Sequence, residues 1–108
     1  CDWLLLCTGQ SEKWGSEEYF GTEPLFTEAF VKAAARIARK GIGLDCSGLD
    51  REGVALHCVW FSSGGGLMVE NLTDLEMLLS ESQILFAAYP LKLAAGDGAP
   101  VRAVAVLG

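Results

Sequence analysis

With 108 residues the chain is long enough for one small domain and a modest core. Fourteen acidic against eight basic residues give a net charge of −6, and only Lys32, Arg36, Arg39 and Lys40 stand near one another, which excludes the clustered positive charge that binds nucleic acid or an anionic membrane surface. Apolar residues make up 51% and charged residues 20%, so part of the apolar surface is expected to meet another chain or a further segment.

Trp3-Leu4-Leu5-Leu6-Cys7 is short and continuously apolar and reads as a buried strand ended by Thr8-Gly9. Gln10 to Glu23 is polar and reads as a long loop with one helical turn at most, and loops of that length in small domains are often functional. Thr27 is a good N-cap for a helix whose apolar stripe is Phe30, Ala33, Ala34, Ile37 and Ala38, with Gly41 as its C-cap. Ile42-Gly43-Leu44-Asp45 reads as a short buried strand, so strand, loop, helix and strand form a parallel crossover. Cys46 to Arg51 is then a loop at the carboxyl end of that strand, where open α/β folds place their chemistry.

Val54 to Phe61 reads as a short helix around His57, Ser62 to Gly66 as a glycine loop, and Leu67 to Glu70 as a strand. Thr73-Asp74-Leu75-Glu76 matches a capping box, which predicts a short helix through Leu79. Gln83 to Ala88 reads as a strand that Tyr89-Pro90 breaks or moves to an edge and that Leu91 to Ala94 resumes. Gly96-Asp97-Gly98 is a turn signal, and Val101 to Leu107 is a strand antiparallel to the one before it. No linker or repeat divides the chain, which reads as one domain over residues 1–108; it opens on an apolar run without an initiating Met, as a truncated or processed portion would. No apolar run approaches the ~20 residues of a membrane helix. Four cysteines without a Cys-x-x-Cys pair and no secretory signal point to a cytoplasmic protein.

His57 is the single histidine, and it reads either as a core or surface residue or as a metal ligand or general base. Glu70 ends an apolar run, where a carboxylate either reaches water or needs a partner such as a cation. Two donors fall short of the three protein ligands usual for catalytic zinc. Asp45 and Asp50 are candidates for further oxygen ligands or supporting bonds, or for capping turns. Cys46 or Cys58 activated by His57 is the rival arrangement, disfavoured because neighbouring side chains at 57 and 58 diverge.

Taken together, the ordered pieces resemble the cyclase and kynurenine formamidase family of metal-dependent hydrolases. The likeness is carried by Asp2 to Gly9, by Gly43-Leu44-Asp45-Cys46-Ser47-Gly48-Leu49-Asp50, by His57 followed by Glu70-Asn71-Leu72-Thr73-Asp74-Leu75, and by Pro90-Leu91-Lys92-Leu93 with Gly96 to Ala105. The resemblance implies a swivelling β/β/α fold of the α/β class, with a mixed sheet and few helices, seen here as the C-terminal portion and incomplete without an N-terminal segment. It implies an arylformamidase-like hydrolase of an amide-like bond, with zinc or manganese as cofactor. His57 and Glu70 would be metal ligands completed by an N-terminal His-x-x-x-His-x-Asp segment, so that this chain alone holds the metal partially or not at all. Asp50, Trp14 and Phe20 would line the substrate pocket. The implied partners are a small amide-like substrate and either a second copy of the chain or the N-terminal half. The sequence departs from the family pattern at Cys7 and Gln10 and around the glycine loop, so a second reading stands beside the first: a non-catalytic interaction module that keeps the scaffold, with His57 and Glu70 apart.

Overall fold

A computed structural model describes all residues from Cys1 to Gly108. The chain divides into two compact units, Cys1–Glu76 and Met77–Gly108, each considered by itself.

The first unit contains three parallel strands, β1 (Trp3–Leu6), β2 (Gly41–Leu44) and β3 (Leu67–Val69), in the order β1-β2-β3. Helix α1 (Glu28–Ile37) connects β1 to β2, and α2 (Ala55–Ser62) connects β2 to β3. The register pairs Trp3 with Gly41 and Leu6 with Leu44 on one side, and Gly41 with Leu67 and Gly43 with Val69 on the other. Two successive parallel crossovers, the first of which the sequence predicts, point all three strand ends the same way. The central strand β2 is buried throughout, whereas β1 is only half-buried because it is an edge.

The core packs Val31, Ala34, Ala35 and Ala38 of the α1 region against Ile42 and Leu44 of β2, with Cys46, Leu49 and Trp60 closing it. Small residues on α1 let the helix lie close to the sheet, and the Trp60 ring fills the remaining volume with its indole N–H donating to the Gly66 carbonyl at 2.8 Å. The Thr27 hydroxyl accepts the Phe30 N–H at 3.1 Å, which is the expected cap. The buried stripe is rotated from the expected one: Ala33 and Ile37 face solvent, while Val31 and Ala35 take the inner positions. Gly41 is not a C-cap either, since the helix ends at Ile37 and Gly41 begins β2. A Cβ at Gly41 would run into the Leu67 carbonyl and lie 2.7 Å from the Trp3 ring, so glycine there serves strand packing.

At the carboxyl end of β2, Asp45 is fully buried. Its carboxylate accepts the Thr8 N–H at 2.9 and 3.0 Å, the Thr8 hydroxyl at 2.6 Å and the Gly9 N–H at 2.8 Å. These bonds fasten the end of β1 to the end of β2 and satisfy a carboxylate that would otherwise be costly to bury. The expected capping box is absent. Asp74 takes a left-handed φ of 61°, the Thr73 hydroxyl lies 3.4 Å from the Asp74 carboxylate, and the segment forms one 3-10 turn at Leu75–Leu78.

The second unit is an antiparallel ribbon of β4 (Ile84–Pro90) and β5 (Val101–Leu107), with Ile84 opposite Leu107 and Pro90 opposite Val101. Pro90 ends β4 rather than interrupting it, and residues 91–94 do not resume a strand. Leu85, Tyr89 and Val106 on one face are exposed, as are Ile84, Val101 and Leu107 on the other.

Replacing Asp45 with Ala strands three donors at the end of β1. Equilibrium urea unfolding is expected to show a loss of about 3 kcal/mol or more.

Candidate functional site

The loop after β2 and the segment after β3 lie side by side at the carboxyl ends of the sheet, with the Asn71 N–H donating to the Cys46 carbonyl at 2.9 Å. Asp50, at the end of that loop, caps α2 from a distance: one carboxylate oxygen accepts the Leu56 N–H at 2.8 Å and the other the His57 N–H at 2.9 Å. The Val54 N-cap position makes no side-chain bond, so Asp50 takes its place. Burial pushes the Asp50 pKa up, but the bonds from the His57 ring and from the Leu56 and His57 amides outweigh it and hold the carboxyl below its usual range.

The Asp50 oxygen that takes the His57 amide also lies 2.7 Å from His57 Nδ1. Hydrogen-bond arithmetic therefore assigns the ring proton to Nδ1, donating to Asp50. The other ring nitrogen, Nε2, faces Glu70 Oε1 at 3.4 Å. A nitrogen lone pair and a carboxylate oxygen repel each other at that distance unless a positive centre, a proton or a cation, stands between them. Two donors each about 2.0–2.1 Å from a tetrahedral zinc ion are themselves about 3.4 Å apart. The observed separation fits a shared cation, and the Asp50–His57 bond is the supporting contact that metal-binding histidines commonly carry. Glu70 is half-buried and His57 about a quarter exposed, so the pair faces an accessible space.

Gly48 makes room for the pair. A Cβ there would stand 2.8 Å from Glu70 Oε1 and 3.3 Å from His57 Cε1, and its φ of 146° is unfavourable for any other residue. No group of three or more His, Cys, Asp or Glu side chains in the chain could hold a metal ion. The cysteines do not form a nucleophile: Cys46 is buried with its thiol toward the Gly48 carbonyl at 3.4 Å, and both His57 nitrogens face carboxylates.

Among the residues singled out from the sequence, Asp50, His57 and Glu70 converge, and Trp14 and Phe20 are exposed on the loop between β1 and α1. Trp14 and Phe20 pack edge-on against Tyr19, at ring separations of 4.9 and 5.0 Å. An open hollow of about 350 Å³ beside Asp50 is lined by Leu25, Phe26, Leu49, Arg51, Glu52 and Leu56.

Three buried residues of the long loop, Gln10, Tyr19 and Glu23, tie it to this region. The Gln10 amide donates to the Tyr19 carbonyl at 2.6 Å, and the Tyr19 hydroxyl donates to Asn71 Oδ1 at 2.7 Å. Glu23, 3% exposed, accepts the Ser47 hydroxyl and the Gly21 N–H, each at 2.7 Å, and Arg51 donates to its main-chain carbonyl. Burial alone would raise the Glu23 pKa, but Ser47, the Gly21 amide and Arg51 more than offset it and leave it lowered.

No family model matches the sequence. The chain is 32% identical over 109 residues to an uncharacterized protein of Methanocaldococcus jannaschii, covering 99% of this chain and 55% of that protein. It is similar, at a TM-score of 0.71 and 32% identity, to a solved structure described as a potential metal-dependent hydrolase with cyclase activity, covering 94% of this chain and 49% of that one. The chain thus spans about half the length of both. The likeness and the α/β architecture with few helices bear out the expected fold class, with the parallel and antiparallel pairings in two separate sheets.

Two outcomes are expected. Gly48→Ala drives Glu70 away from His57 and destabilises the loop by about 1–3 kcal/mol, read by urea unfolding and by loss of the contact in a crystal structure. Glu23 has a lowered folded pKa, so its contribution is present above its unfolded value of 4.5 and is lost as pH falls through the folded one. Glu23→Gln should therefore flatten the stability–pH curve in that acid window, measured by unfolding at a series of pH values.

Proposed function

We propose that the chain contributes His57 and Glu70 to the metal centre of a cyclase-like hydrolase that cleaves an amide-like bond, as kynurenine formamidases do. The observation that carries this reading is the 3.4 Å approach of His57 Nε2 to Glu70 Oε1 with Nδ1 tied to Asp50. The structural likeness to a potential metal-dependent hydrolase supports it. The rival reading of a non-catalytic module expects the two side chains to lie apart, and their convergence favours the first.

A divalent cation at this place, zinc or manganese, would supply Lewis-acid polarisation of a carbonyl and would make hydroxide available from water near neutral pH. The chain's own part is to hold two donors in place. Asp50 fixes the His57 ring in the tautomer whose Nε2 lone pair is free to ligate, and Gly48 leaves the space that both side chains fill. The remaining ligands come, in this proposal, from a His-x-x-x-His-x-Asp segment outside these 108 residues. Trp14 and Phe20 offer ring faces to an aryl substrate, and the hollow beside Asp50 receives its smaller parts. The apolar faces of the β4–β5 ribbon meet the other half of the hydrolase or a second copy.

Elemental analysis of the protein together with its N-terminal half tests the ligand assignment. Glu70→Ala and His57→Ala should each lower bound zinc or manganese at least tenfold at limiting metal, and metal content equal to the parent would remove both residues from the site. Formylkynurenine hydrolysis should require the N-terminal half; turnover by residues 1–108 alone would place the chemistry elsewhere.

A further inference from the structure

Glu70 sits at the start of a sharp change of direction. Asn71, the next residue, takes a left-handed φ of 58°, which L-residues other than glycine adopt at a cost that Asn bears best. Asn71 is exposed, so close packing does not hold it there. Two hydrogen bonds do: its N–H to the Cys46 carbonyl at 2.9 Å, and its Oδ1 from the Tyr19 hydroxyl at 2.7 Å. The first belongs to the junction of the two strand ends. The second comes from a loop residue 52 positions away in sequence and 2% exposed.

Tyr19 is itself held firmly. Its carbonyl accepts the Gln10 side-chain amide, which also donates to Thr22, and its ring lies between those of Trp14 and Phe20. Glu70 has no comparable anchor: His57 is the one side chain that reaches its carboxylate. Its aim therefore depends on the backbone that carries it, and so on the turn at Asn71.

We infer that Tyr19 is the positioning residue for Glu70, acting through its hydroxyl bond to Asn71 to set the approach of the carboxylate to His57. This rests on the metal-ligand reading of the pair and adds the element that adjusts it. The long loop between β1 and α1 becomes part of the metal centre's support, although it supplies no ligand.

His57 is the single histidine, so its ring carbon and nitrogen NMR signals report on the pair without overlap. In the metal-free chain, Tyr19→Phe should move those signals toward their positions in Glu70→Gln, and Asn71→Gly, which tolerates the positive φ but lacks the acceptor, should do the same. Zinc affinity of the full-length protein should fall about fivefold in Tyr19→Phe, as one lost hydrogen bond implies. Val31→Ala, a core truncation in α1, should lower stability while leaving both the ring signals and the zinc affinity in place. Unchanged His57 signals in Tyr19→Phe and Asn71→Gly overturn the positioning role even if zinc binding depends on Glu70. Moved signals in the metal-free chain, with a full-length protein that binds no zinc, uphold it and remove the metal reading instead.

Discussion

Asp50 accepts three hydrogen bonds, two from the first-turn amides of α2 and one from the His57 ring, and the candidate site depends on that single carboxylate. It performs two tasks with one set of atoms. As a cap it satisfies the start of a helix whose own N-cap residue, Val54, cannot. As a ring acceptor it turns the His57 Nε2 toward Glu70. The helix and the histidine are thus oriented together by one carboxylate.

The parallel crossovers explain why these groups meet at all. Each of β2 and β3 ends at the same edge of the sheet, so the loop after one and the residue after the other become neighbours. The two segments are joined directly by the Asn71 and Leu72 amides, which donate to the Cys46 and Leu44 carbonyls at 2.9 Å. Gly48 then lets them close without a side chain between them. The same edge receives Thr8 and Gly9 from β1 through Asp45. All three strand ends are therefore fastened by specific polar contacts, the arrangement a precise site requires of its scaffold.

Much of the fold is legible in the sequence because continuous apolar runs and glycine punctuation mark β1, β2, α2 and β3 in order, and Thr27 marks the start of α1. What periodicity misjudges is the facing of α1: Ala33 and Ile37 count as apolar in a helical stripe, but close approach to the sheet selects Val31 and Ala35 beside the expected Ala34 and Ala38. Thr73 to Glu76 has the letters of a capping box, yet a left-handed Asp74 replaces the extended backbone such a cap needs. At the site, His57 and Glu70 stand out as a lone imidazole and a carboxylate after an apolar run, and family resemblance pairs them. Asp50 is harder to read, because it caps from six and seven residues upstream rather than from the adjacent position. Tyr19 and Glu23 are invisible to pattern, since a polar loop gives no sign of which members turn inward to bond with residues far along the chain.

The ribbon of β4 and β5 carries one charged side chain, Arg102, along both strands. Natural sheets guard open margins with lysines, bulges or a covering element. Here two strands alone make the sheet and apolar side chains line both of them, so a solution of this unit by itself would invite neighbouring molecules to extend it. The charges of Glu81 and Asp97 cancel those of Lys92 and Arg102 within this unit, so no net repulsion would oppose strand addition, and a lysine at Leu85 or Val106 would discourage it.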